Sequence, residues 1–146
     1  MPARRARKAG EDALFAVAKK KTVPFAFVLE ELEELAPYTK PMFGCTAIYV
    51  PGEEDRIVLI LRERGAPKRD DGVWVATTAE HHASLRAEMP CLRSIEIFGP
   101  GETGWQVIPK SHPQFEEAVM LACAMIRRRD PRIGKVPKRR AARVKR

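Results

Sequence analysis

Apolar positions recur at two different periods along this chain, and the changes of period mark its elements. In "VPFAFVLEELEEL", Phe25, Val28, Leu29, Leu32 and Leu35 follow i, i+3, i+4, i+7 spacing while Glu30, Glu31, Glu33 and Glu34 lie outside the stripe. The pattern predicts an amphipathic helix with Pro24 in its first turn. Pro37 and Pro41 bracket its exit. "MFGCTAIYV" and "RIVLILRE" then read as β-strands joined by the hairpin loop "PGEED", and a third strand, "GVWVATT", follows a turn at Asp70-Asp71-Gly72.

Thr77 and Glu80 have capping-box spacing, so a helix is expected over residues 78–88, with Pro90 stopping it. "LRSIEIF" and "WQVIP" predict a further strand pair around the loop "GPGETG". Ser111 and Gln114 repeat the capping-box spacing before a long helix whose apolar face includes Phe115, Val119, Ala122, Cys123 and Ile126. Arg127 to Arg129 follow at its C-terminal end, where the helix dipole favours positive charge. The order α-β-β-β-α-β-β-α, with short loops between strands, predicts an α+β domain of two layers: a mostly antiparallel sheet with helices packed on it.

The 146 residues fit one domain with one core, and 45% hydrophobic against 32% charged residues is an ordinary globular balance. No apolar run approaches the roughly 20 residues that span a bilayer, so no membrane association is expected. The basic start mimics a signal peptide, but its apolar stretch, Ala13 to Ala18, is short and bracketed by Glu11, Asp12 and Lys19. Cys45, Cys91 and Cys123 are odd in number and far apart, which suits neither a disulfide framework nor a Cys-x-x-Cys metal site. A reducing cytoplasm is the expected location.

Charge is unevenly spread. Residues 1–21 hold seven Lys/Arg against two acids and residues 127–146 eleven against one, so within a total of +8 the middle carries −7. The chain therefore divides into a basic N-terminal arm, 1–21, part of which a helix would suit, a mildly acidic domain, 22–130, and a basic tail, 131–146. Two readings follow for the ends. They are solubilising tails, or Arg4, Arg5, Arg7, Lys8, Lys138, Arg139, Arg140, Arg143, Lys145 and Arg146 contact nucleic-acid phosphates.

Candidate chemistry adds little. Strand alternation puts Phe43, Cys45 and Ala47 on one face, with Phe43 and Cys45 pointing into the core and Gly44 allowing a bulge; Cys45 then reads as a structural thiol. His81 and His82 are adjacent and lack the i, i+4 spacing of a helical ligand pair, and with His112 they read as exposed helix residues. The Gly-x-Gly-x-x-Gly spacing at Gly99, Gly101 and Gly104 precedes a strand, where a pyrophosphate site needs a helix, so it reads as a loop. Asp70-Asp71 and Glu53-Glu54-Asp55 sit beside turn residues and read as solvated carboxylates. Trp74 and Trp105 read as core or sheet-face packing. No Walker loop, serine elbow or zinc-protease helix occurs. Neither a catalytic site, a metal site nor a cofactor is expected.

"KPMFGCTAIYV", the strand hairpin, the apolar C-terminal helix and the ending "DPRIGKVPK" together resemble the TfoX N-terminal-domain-like family and its YjbR-like relatives. The resemblance runs from about Phe25 to Lys138, and its motif residues are Met42, Phe43, Gly44 and Cys45, expected to be structural. It implies a small two-layer α+β domain with a regulatory or interaction role and no enzymatic activity. The expected partner is a protein or a second copy of the chain joined through a strand edge, with nucleic acid held by the tails as the alternative.

Overall fold

A computed structural model describes residues 23–99, 101 and 103–137. The basic residues proposed as phosphate contacts, Arg4, Arg5, Arg7, Lys8 and Lys138 to Arg146, all lie outside them. Six strands form one antiparallel sheet: β1 (Tyr38–Met42), β2 (Cys45–Val50), β3 (Arg56–Arg62), β4 (Gly72–Ala76), β5 (Arg93–Ser94) and β6 (Trp105–Pro109). Their order across the sheet is β1-β2-β3-β4-β6-β5. Three α-helices are described, α1 (Phe27–Glu31), α2 (His82–Glu88) and α3 (Phe115–Arg127). This is the expected α+β class.

Helices cover one face. Val28 and Leu32, Leu85 and Met89, and the α3 residues Phe115, Val119, Ala122, Cys123 and Ile126 form one cluster with Ile48, Leu61, Val73, Val75 and Ile108 of the strands. The expected apolar stripe of the last helix is thus its buried one. Arg127 of α3 donates to the Glu31 carbonyl at 2.8 Å and ties α3 to α1. The opposite sheet face gathers Ala47, Tyr49, Ile60, Trp74, Ala76 and Val107 in a second cluster, to which no described helix contributes. A register shift between Ile48 and Tyr49 leaves Val58 and Leu59 both on the helix side, as a bulge does.

Several local expectations are corrected. The first helix is a single turn and a half, followed by a 3-10 turn at Glu33–Leu35, because Phe25 and Ala36 take left-handed φ of 54° and 55° and close it at both ends. Neither capping box forms. Residues 79–81 make a 3-10 turn before α2, without a side-chain cap. At α3 the imidazole Nδ1 of His112, in place of the Ser111 hydroxyl, accepts from the Gln114 amide at 3.0 Å. Of "LRSIEIF" only Arg93 and Ser94 pair as strand. His82 is buried, contrary to its reading as exposed.

The ordered unit also runs past the boundary set at residue 130. Asp130 accepts from the amide and guanidinium of Arg132, Ile133 is buried, and Lys135 forms an antiparallel bridge with Ile57.

Candidate interaction surface

The stretch that carries the family resemblance is a hairpin turn. Met42 pairs with Cys45, leaving Phe43-Gly44 as a two-residue loop between β1 and β2. Both loop residues have positive φ, 55° and 74°, the signature of a type I′ turn. The expectation of a continuous strand with a bulge at Gly44 is therefore corrected, and with it the placement of Phe43 in the core. Phe43 is 54% exposed. Gly44 suits its left-handed φ, and a Cβ there would displace the Arg64 guanidinium, which donates to the Gly44 carbonyl at 3.0 Å.

Phe43 does not stand alone. Its ring lies 5.3 Å from that of Phe98, edge to face, and 6.4 Å from that of Trp74. Trp74 itself is buried, contacts Phe98 and Trp105, and donates its indole N–H to the Asp70 carbonyl at 2.9 Å. Phe98 is 57% and Ile97 40% exposed. Two exposed aromatic side chains thus meet at one end of the sheet, on a floor made by Trp74, with the exposed Ile97 next to Phe98 in the chain. Sequence reasoning missed Ile97 and Phe98, which it placed in a regular strand; the apolar pair immediately before "GPG" was the available signal.

Two buried acids hold this surface in place. Asp70 and Asp71 are 0% and 2% exposed, which corrects their reading as solvated carboxylates. Asp70 accepts from the amides of Glu96 at 2.9 Å and Ile97 at 2.7 Å, fixing the loop that bears Phe98. Asp71 accepts from the amides of Arg64 and Gly65, each at 2.8 Å, and from Arg62 Nη1 at 2.6 Å. Arg62, buried beside it, also donates to the carbonyls of Ala66 and Pro67. The bonds of this network close between neighbouring segments of the fold, so it serves to position loops.

Around the aromatics the exposed charge is mainly basic. Arg64 reaches over the hairpin tip, Arg69 pairs with Glu96, and Arg93 reaches Asp70 and the Arg69 carbonyl.

Cys45 is half-buried beside the tip, its Sγ 3.4 Å from the Phe43 carbonyl oxygen. Burial raises its pKa, partly offset by the Arg62 and Arg64 charges. Among the described residues no cluster of three His, Cys, Asp or Glu side chains could hold a metal ion. His81 pairs with Glu80, and His112 accepts from the Gln114 amide just before α3, on separate elements. Gly99 and Gly101 lie in a loop that leads into β6, not into a helix. No described helix is long and apolar enough to cross a membrane.

Comparison with protein-family models, with curated proteins and with solved structures found no match.

Proposed function

We propose that this chain is a non-enzymatic protein-interaction module whose contact surface is Phe43, Ile97 and Phe98. One observation carries the reading. An aromatic residue occupies the first loop position of a type I′ turn, where Asn, Asp or Gly is preferred, and exposes over half of its ring. Left-handed φ costs an L-residue about 1–2 kcal/mol, which the ring contacts with Phe98 and Trp74 offset in part while the residue stays more than half exposed. Aromatic side chains clustered on a rigid floor are the usual anchors of protein interfaces. The resemblance of Met42-Phe43-Gly44 to the TfoX N-terminal-like family, with its regulatory role, supports the same class, and three free cysteines suit a reducing cytoplasm.

Pairing of two copies along the β1 edge is the weaker route. Residues flanking a two-residue loop bond to each other, so Thr39 and Pro41 are the ones directed outward. Pro41 has no N–H to offer, and Lys40 guards the same short edge.

The test is affinity co-purification with the full-length chain, a Phe43→Asn/Phe98→Ser variant, and a chain whose terminal Lys and Arg residues are replaced by Ser. A specific protein retained by the wild-type and Ser-tailed chains and lost with the aromatic variant is the expected result. Retention that depends on the tails alone, disappears on nuclease treatment and falls steeply with salt would replace it by the nucleic-acid reading, which the +5 and +10 charges of the two ends favour.

A further inference from the structure

The charges around the aromatic patch narrow what it binds. Arg64 lies against Gly44, next to Phe43; Arg69 and Arg93 flank the loop that carries Ile97 and Phe98. Glu96 pairs with Arg69 and Arg93, and the buried Asp70 also pairs with Arg93, which leaves Arg64, bonded to the Gly44 carbonyl, without an acid among these partners. The local balance is positive although residues 22–126 as a whole carry −7. Residues 1–21, at +5, and 138–146, at +6, are repelled by such a rim, and a second copy would bring the same arginines to the contact.

Resting on the interaction-module reading, we propose that Phe43, Ile97 and Phe98 receive a short segment of another protein in which an aromatic or leucine side chain is flanked by carboxylates. The apolar anchor packs across the Phe43–Phe98 pair, and its acidic neighbours meet Arg64 and Arg69. Two features argue against single-stranded nucleic acid at this place. Phe43 and Phe98 stand edge to face, at 69°, so they do not offer the parallel ring faces on which successive bases stack. The third exposed side chain, Ile97, has no π-face at all.

A random peptide library displayed on phage, selected on full-length protein at about 0.15 M salt, tests this. Enriched sequences should place Phe, Trp or Leu within two residues of Asp or Glu. Synthetic copies should bind Phe43→Asn/Phe98→Ser at least about tenfold more weakly, and so should an Arg64→Glu/Arg69→Glu variant, with both variants melting cooperatively. Replacing the peptide's acids by Lys should abolish binding. Enrichment of basic or uncharged peptides that still need Phe43 and Phe98 would overturn the acidic occupant and leave the interaction module standing. Peptides insensitive to both variants would overturn the acidic occupant at this surface, while loss of the co-purified protein in the aromatic variant would separately decide the module reading. Binding of an oligothymidylate that needs Phe43 and Phe98 would overturn the proposal in favour of nucleic acid.

Discussion

Asp70 and Asp71 are neighbours in the chain, yet their carboxylates serve opposite loops: Asp70 holds the amides of Glu96 and Ile97, Asp71 those of Arg64 and Gly65. The backbone at Asp71 is extended, with φ −74° and ψ 136°, so successive side chains leave on opposite sides. One dipeptide therefore joins the two halves of the patch, the loop of Phe98 and the arm of Arg64 that reaches the hairpin tip. Gly72 immediately after it cannot be replaced cheaply, because a Cβ there would stand 2.1 Å from the Ile108 carbonyl oxygen.

Removing Asp71 should be among the most damaging single changes. Asp71→Ala strands the buried Arg62 guanidinium without its counter-charge, for which about 3–5 kcal/mol is typical. Urea denaturation should give that loss for Asp71→Ala and clearly less than the sum of the single losses for Arg62→Met/Asp71→Ala. Additive losses would mean that the two side chains do not act as a pair.

The hairpin tip separates stability from binding. Phe43→Asn should leave stability unchanged or raise it by up to about 1 kcal/mol, since Asn tolerates left-handed φ better. Gly44→Ala should lower it by about 1 kcal/mol for the opposite reason. Thermal melts of both variants check the signs. A large loss of stability with Phe43→Asn would make that ring part of the core and remove the observation on which the interaction reading stands.

Much of the fold was legible because helix and strand periods are local properties. Three of the predicted strands, the apolar face of α3 and the α+β class follow from them directly. The hairpin was harder. "KPMFGC" hides its turn behind Phe43, where Asn-Gly would have announced one, and a strand read through the turn puts that ring on the wrong side of the surface. Asp70 and Asp71 looked like solvated turn acids because the partners of Asp70 are backbone amides 26 and 27 positions away and those of Asp71 are amides and an arginine of the preceding loop and strand, none of which leaves a trace in composition or spacing. Phe98 and Phe43 lie 55 positions apart in the chain and meet only after β4 and β6 have paired.

Cysteine reactivity gives an independent reading of the packing. Burial pushes the Cys123 thiol up to about 12, and it raises Cys91 and Cys45 as well. At pH 8 the thiolate fraction of Cys123 is then about a thousandfold below that of an ordinary cysteine. Iodoacetamide followed by peptide mass spectrometry should modify Cys45 and Cys91 more slowly than in urea, and Cys123 only on unfolding. Native labelling of Cys123 at the rate seen in urea would contradict the packing of α3 against the sheet.

The segment after α3 is anchored by charge, and that anchor has a pH signature. Arg132 donates to the Asp130 carboxylate at 2.7 and 2.9 Å and also pairs with Glu88 at 2.8 Å, so it ties the end of the domain to α2. These bonds, chiefly those from the Arg132 side chain, hold the Asp130 carboxyl well below the usual carboxylate range. A depressed folded-state pKa means that the native state binds fewer protons than the unfolded one between the two values. The contribution is therefore complete above about pH 5 and declines as the pH falls through the unfolded value near 4. Asp130→Asn should cost about 1.5–3 kcal/mol at pH 7, the range for hydrogen bonds to a charged group. In urea titrations the gap between wild type and variant should narrow steadily from pH 5 to pH 2.5. A gap that stays constant over that range would show that Asp130 acts through its shape and backbone contact, not through its charge.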